Sequence, residues 1–122
     1  MIETAQYLRD AARAGLVGEA RANVVRLIAE NPQAGDLIPG TGGARKIRVA
    51  GRGKGKSGGY RVVTYYAAAD VPVFLLAVID KGERADLTQA ERNALRAELA
   101  GLAKDYRETA RRKAVALQWR RR

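Results

Sequence analysis

Arg45-Lys46-Ile47-Arg48-Val49-Ala50-Gly51-Arg52-Gly53-Lys54-Gly55-Lys56-Ser57-Gly58-Gly59-Tyr60-Arg61-Val62-Val63-Thr64-Tyr65-Tyr66 is the stretch on which the fold turns. From Ala44 onward, Ile47 and Val49 alternate with Lys46 and Arg48, a period of two that puts the apolar pair on one face of a half-buried strand and the cations on the other. Residues 51–59 are rich in glycine and read as a turn. A second strand runs from Tyr60 to Ala67, with Arg61, Val63 and Tyr65 on one side and Tyr60, Val62, Thr64 and Tyr66 on the other. Alternation alone does not say which of those sides is core.

Seven basic residues (Arg45, Lys46, Arg48, Arg52, Lys54, Lys56 and Arg61) fall within positions 45–61, with no acidic residue among them. Like charges built into a rigid sheet repel one another, so such a surface is expected to bind an anion. Tyr60, Tyr65 and Tyr66 are interleaved with the cations and are able to stack on unpaired bases or to pack in a core. The ligand that best fits both features is a polyphosphate, RNA first.

Upstream, about Ile2 to Arg13 and about Val17 to Glu30 read as two helices, the second with Val24, Val25, Leu27 and Ile28 on one face. Asn31-Pro32 ends it, and the glycine- and proline-rich run from Gln33 to Gly43 is a loop into the sheet, with Leu37 and Ile38 as expected core anchors. Downstream, Val71 to Ile79 is apolar almost throughout and reads as a strand covered on both faces, with Pro72 at its start. Thr88 and Glu91 then form a capping box. Leu95, Leu99, Leu102 and Tyr106 recur along the long helix that follows, making a stripe to pack on the sheet.

The chain has 122 residues, 47% of them hydrophobic and 30% charged, which suits one α+β domain. We expect that domain to span residues 1–110, with 111–122 as a basic helical extension or tail. The net charge of +10 is concentrated: residues 44–66 and 111–122 carry no acid, while the remainder is slightly acidic. With neither cysteine nor histidine, the chain offers no disulfide, no thiolate or imidazole metal site and no imidazole for acid–base work. No metal or cofactor is expected. No apolar run approaches the roughly 20 residues of a membrane span, and the N-terminus does not look like a signal peptide, so a soluble, cytoplasmic protein is expected.

Ala50-Gly51-Arg52-Gly53-Lys54-Gly55-Lys56-Ser57 satisfies a loose phosphate-loop pattern. That motif works only where a helix follows, because the helix N-terminus and the loop amides cradle the phosphates. Here Gly58-Gly59 and a β-rich run follow instead, which argues against a nucleotide hydrolase.

Residues 31–43 (Asn31-Pro32-Gln33 through Gly40-Thr41-Gly42-Gly43), Arg45-Lys46-Ile47-Arg48, Gly55-Lys56-Ser57-Gly58-Gly59-Tyr60-Arg61-Val62 and Lys81-Gly82-Glu83-Arg84-Ala85-Asp86-Leu87-Thr88 together resemble the HigB-like branch of the RelE/ParE toxin superfamily. The resemblance covers about residues 16–106. It implies two N-terminal helices, a small twisted antiparallel sheet of three to four strands and a long C-terminal helix. It also implies an antitoxin partner, often a helix-turn-helix protein, and cleavage of mRNA on the ribosome by basic residues that replace the histidines of other ribonucleases.

Carried over by position, the resemblance makes Lys46, Arg48, Arg61 and Lys81 the catalytic candidates. Lys46 is the candidate base for the ribose 2′-hydroxyl, the arginines stabilise the scissile phosphate and Lys81 adds a phosphate contact. Arg45, Arg52, Lys54, Lys56, Tyr60 and Tyr66 are the RNA-binding candidates, Lys54 and Lys56 from the glycine turn. Gly82 stands where some relatives carry an arginine, and Tyr106 is the nearest counterpart of their substrate-stacking tyrosine. Two other functions stay open: a ParE-like toxin that binds DNA gyrase without cutting RNA, and a non-catalytic nucleic-acid-binding module.

Overall fold

A computed structural model describes the backbone of residues 1–51, 55–80, 82, 84 and 86–120, and side chains within 1–50, 59–80, 82, 84 and 86–114. In chain order the elements are β1 (Ile2–Glu3), α1 (Ala5–Ala14), α2 (Glu19–Glu30), β2 (Asp36–Leu37), β3 (Ala44–Gly51), β4 (Gly55–Tyr65), β5 (Phe74–Asp80), α3 (Gln89–Leu99) and α4 (Leu102–Arg120). They form one five-stranded sheet in the order β1-β5-β4-β3-β2. The expected antiparallel meander is β3-β4-β5. Two strands of two residues each extend it: β2 antiparallel to β3, and β1 parallel to β5, which makes the sheet mixed. Strands this short carry no alternation to read.

Residues paired across an antiparallel ladder share a face, so the register divides the sheet. Ile47, Val62 and Val78 face one way and pack with Tyr7 and Ala11 of α1 and Val24 and Ile28 of α2. Ala44, Val63, Phe74 and Ile79 face the other way and pack with Leu95 and Leu99 of α3 and Leu102 and Tyr106 of α4. Both faces of β4 and β5 are therefore core, which explains the unbroken apolar run of β5. A bulge opposite Val63 and Thr64 leaves Leu76 without a partner residue and turns it into the second cluster.

Local chemistry sets the helix ends. Thr4 caps α1, its Oγ1 accepting from the Tyr7 amide at 3.3 Å and donating to the Leu75 carbonyl at 2.8 Å, so one hydroxyl joins helix to strand. Asp10 in α1 reaches the open edge of β5, where Oδ2 accepts from the Val78 amide at 3.1 Å. The capping box read from Thr88 and Glu91 is present at the start of α3. The C-terminal helix bends at Ala100-Gly101, where α3 gives way to α4, glycine being a poor residue for a helix interior.

The loop from α2 to the sheet passes close over β3. Gly35 has φ +94°, and a Cβ there would stand 2.4 Å from the Lys46 carbonyl oxygen, so only glycine fits. Of the two expected anchors only Ile38 is buried; Leu37 is 58% exposed because β2 is an edge strand with no layer over that side chain.

Candidate nucleic-acid interface

Lys46 and Arg48 share the α3/α4 face of β3, and Arg48 lies directly opposite Arg61 of β4. Exposure on this face rises along β3 towards the hairpin: Ala44 is buried, Lys46 half-buried and Arg48 exposed. Arg61, with Arg48 on one side and Ile79 of β5 on the other, is only 6% exposed, and its Nη1 donates to the Tyr60 carbonyl at 3.3 Å. Where a continuous exposed cationic surface was expected, an exposed guanidinium thus stands beside a buried one. Burial of Arg61 follows from the two-sided core around β4, which strand alternation left undecided.

Lys46 is not without a counter-charge, as its acid-free sequence neighbourhood suggested. Its Nζ donates to Asp86 Oδ2 at 3.0 Å, and the same oxygen accepts from Arg92 Nη2 at 3.1 Å. The other oxygen, Oδ1, accepts from the Leu87 amide at 2.8 Å. Burial pushes the Asp86 carboxyl up, but the Leu87 amide, Lys46 and Arg92 outweigh it and hold the group below its ordinary value. Arg92 Nε is buried and makes no hydrogen bond.

The position of Arg92 is set by the capped end of α3. Thr88 Oγ1 accepts from the Glu91 amide at 3.1 Å, and Glu91 Oε1 accepts from the Thr88 amide at 2.8 Å. Arg84 Nη2 donates to Glu91 Oε2 at 2.9 Å. Hydrogen bonding by Arg84 is the largest cause that lowers the Glu91 carboxyl, against burial, to about 2.

The remaining candidates scatter. Arg45 points to the opposite side of β3 from Lys46, and its Nη1 lies 3.4 Å from the Gly35 carbonyl. Tyr60 and Tyr66 pack against the cluster under α1 and α2, and the Tyr60 hydroxyl donates to the Ala14 carbonyl at 2.8 Å. Neither tyrosine shares the face of Arg48 and Arg61. Lys56 lies within β4 and not in a turn, with its side chain outside the described residues; Arg52, Lys54 and Lys81 lie outside them altogether. Tyr106 is half-buried against the second apolar cluster, edge-on to Phe74 with ring centroids 6.2 Å apart.

Asp86 entered the sequence reading only within the segment leading to the helix cap, and Arg92 did not enter it. Spacing gave no signal for them, since Lys46 and Asp86 are 40 residues apart. Because β4 begins at Gly55, the residues after the glycine-rich string form a strand and not the helix a phosphate loop requires. Among the described residues no cluster of acidic side chains is arranged to hold a metal ion, and no helix is long and apolar enough to cross a membrane. A family model described as the RelE toxin of the RelE / RelB toxin-antitoxin system matches residues 3–118, and the chain therefore belongs to the RelE toxin family, the toxin of a pair whose other member is an antitoxin.

Proposed function

We propose that this toxin is a ribosome-dependent mRNA endonuclease of the HigB-like branch, acting in the cytoplasm and restrained by a helix-turn-helix antitoxin. The observation that carries the proposal is the cross-strand pair Arg48 and Arg61 on the same face as Lys46. Guanidinium groups stay protonated and present forked donors, which suits them to the charge that builds on a phosphodiester in the transition state.

In the proposed reaction the ribose 2′-oxygen attacks the adjacent phosphorus as its proton is removed. The new 2′-O–P bond forms, the P–O5′ bond breaks, and the products are a 2′,3′-cyclic phosphate and a 5′-hydroxyl after the leaving oxygen takes a proton. Lys46 takes the proton of the 2′-hydroxyl as the neutral amine, a role that requires its pair with Asp86 to open and one ammonium proton to pass to solvent first. Arg48 and Arg61 stabilise the phosphorane-like charge, and Lys81 adds a phosphate contact. Arg45, Arg52, Lys54, Lys56, Tyr60 and Tyr66 are retained as RNA-binding candidates, the last two by movement away from the α1 and α2 side of the sheet.

Mapping of mRNA 5′ ends in a translating extract tests the proposal, with new ends expected for wild type and a large loss for Arg48→Ala. Intact message accompanied by gyrase inhibition favours the ParE-like reading. Intact message with salt-sensitive nucleic-acid binding and no growth arrest favours a binding module.

A further inference from the structure

Asp86 Oδ2 accepts from two cations of different elements, Lys46 of β3 and Arg92 of α3, at 3.0 and 3.1 Å. The carboxylate spends its second oxygen on the Leu87 amide, so a single oxygen faces the pair. Arg92 consequently uses Nη2 while its Nε stays buried without an acceptor. A guanidinium fork is made to engage two oxygens of one anion, and a buried donor left unmet is unfavourable. A phosphodiester presents two non-bridging oxygens from one centre and is able to satisfy Nε and Nη2 together, which Asp86 does not.

We propose that Arg92 is a phosphate-binding residue for single-stranded RNA and that Asp86 is the resident anion holding its place, displaced when a phosphodiester enters. The inference rests on the RNA-cleaving reading above and extends it to residues outside the basic hairpin. Displacement has two consequences. Arg92 gains a bidentate partner, and Lys46 is released from its carboxylate on the face it shares with Arg48. Part-exposed ion pairs are weak, so Asp86 is exchangeable; Lys46, Asp86 and Arg92 keep 30%, 33% and 23% of their side-chain exposure. A lone phosphate must compete with the carboxylate, whereas an RNA strand that also engages Arg48 and Arg61 outcompetes it.

The test is binding of a single-stranded oligonucleotide with 2′-O-methyl riboses, which lack the attacking hydroxyl, followed by fluorescence anisotropy as a function of salt. Asp86→Asn is expected to bind on the order of tenfold more tightly with the slope of log affinity against log salt unchanged, because the same phosphate is contacted and only the competing carboxylate is gone. Arg92→Gln is expected to bind on the order of tenfold more weakly with a slope shallower by about 0.7. Arg92→Lys keeps the slope but not the affinity, because the charge remains and the fork is lost. Asp70→Asn is the control for net charge: Asp70 precedes β5 and pairs with Arg107 of α4, whereas Asp86 follows β5, and wild-type binding is expected.

A wild-type slope in Arg92→Gln, at an unchanged melting temperature, overturns the proposal, as does equal tightening by Asp70→Asn and Asp86→Asn. Should Asp86→Asn fail to fold, the two Arg92 variants decide the matter. The predicted shifts in a protein that leaves message intact on the ribosome overturn the nuclease reading and support the phosphate subsite. Cleavage of message with an unaltered Arg92→Gln slope overturns the subsite alone.

Discussion

Arg48 and Arg61 stand directly opposite one another on β3 and β4, so two guanidinium side chains share one face of the sheet. Like charges facing each other across a ladder oppose folding slightly. Arg48 is the exposed member and lies outside both apolar clusters. Its replacement by alanine is expected to leave the melting temperature unchanged or raised, while mRNA cleavage falls on the order of a hundredfold, the usual loss when one transition-state donor is removed. Thermal unfolding and a cleavage time course on the same preparation check both halves.

Tyr60 offers the complementary result. Its hydroxyl donates to the Ala14 carbonyl on the α1 side of the sheet. Tyr60→Phe removes that hydrogen bond and leaves the carbonyl to find water, so a loss of about 1 kcal/mol is expected in chemical denaturation. The phenyl ring still stacks if the residue meets a base, so cleavage by Tyr60→Phe is expected to match wild type. A stability loss with unchanged cleavage identifies the hydroxyl as a support for the sheet.

Gly35→Ala is expected to be among the most damaging single-methyl changes. The new Cβ would meet backbone, 2.4 Å from the Lys46 carbonyl oxygen, at a φ of +94° that L-residues rarely adopt. A cost on the order of 2–3 kcal/mol follows from strain at such a position. The fall in melting temperature should be roughly 10 °C. Since β3 must shift to relieve the clash, cleavage is expected to fall with it.

The sign of the acid response follows from Glu91. Its folded-state pKa is about 2 against an ordinary 4.5, so its contribution to stability is present above pH 4.5 and is lost as pH falls towards 2. Hydrogen bonding by Arg84 is the largest cause of the lowering, and because that pair is two-fifths exposed, screening reduces what it adds to stability. Glu91→Gln is expected to melt lower than wild type near neutral pH, with the gap closing as pH drops through that window. A pH series of melting curves for the two proteins is the check.

The parts legible in the sequence were those with local periodicity or local chemistry. Lys46 and Arg48 sharing a face opposite Ile47 needs only the pleat, and the Thr88–Glu91 capping box needs only four residues. The apolar stripe of Leu95, Leu99, Leu102 and Tyr106 is equally local, and it packs as expected. What escaped was set by distance or by layers. β1 and β2 are two residues long and show no period. Arg61 gave no sign of its burial, because Val62 and Val63 are both fully buried and neither face of β4 is the wet one. The Lys46–Asp86–Arg92 group joins a strand to a helix that follows two strands later, a meeting only the tertiary fold creates. Alternation could separate the faces of Tyr60 and Arg61, but not say that α1 and α2 cover the tyrosine's face.

The central claim is that the face bearing Lys46, Arg48 and Arg61 cuts message. It is tested most directly by adding purified wild type and Arg48→Ala to a translating extract and sequencing the mRNA 5′ ends. New ends bearing a 5′-hydroxyl with wild type, reduced on the order of a hundredfold with Arg48→Ala at equal folded concentration, are the predicted result. Intact message with wild type, or cleavage by Arg48→Ala at the wild-type rate, would contradict it.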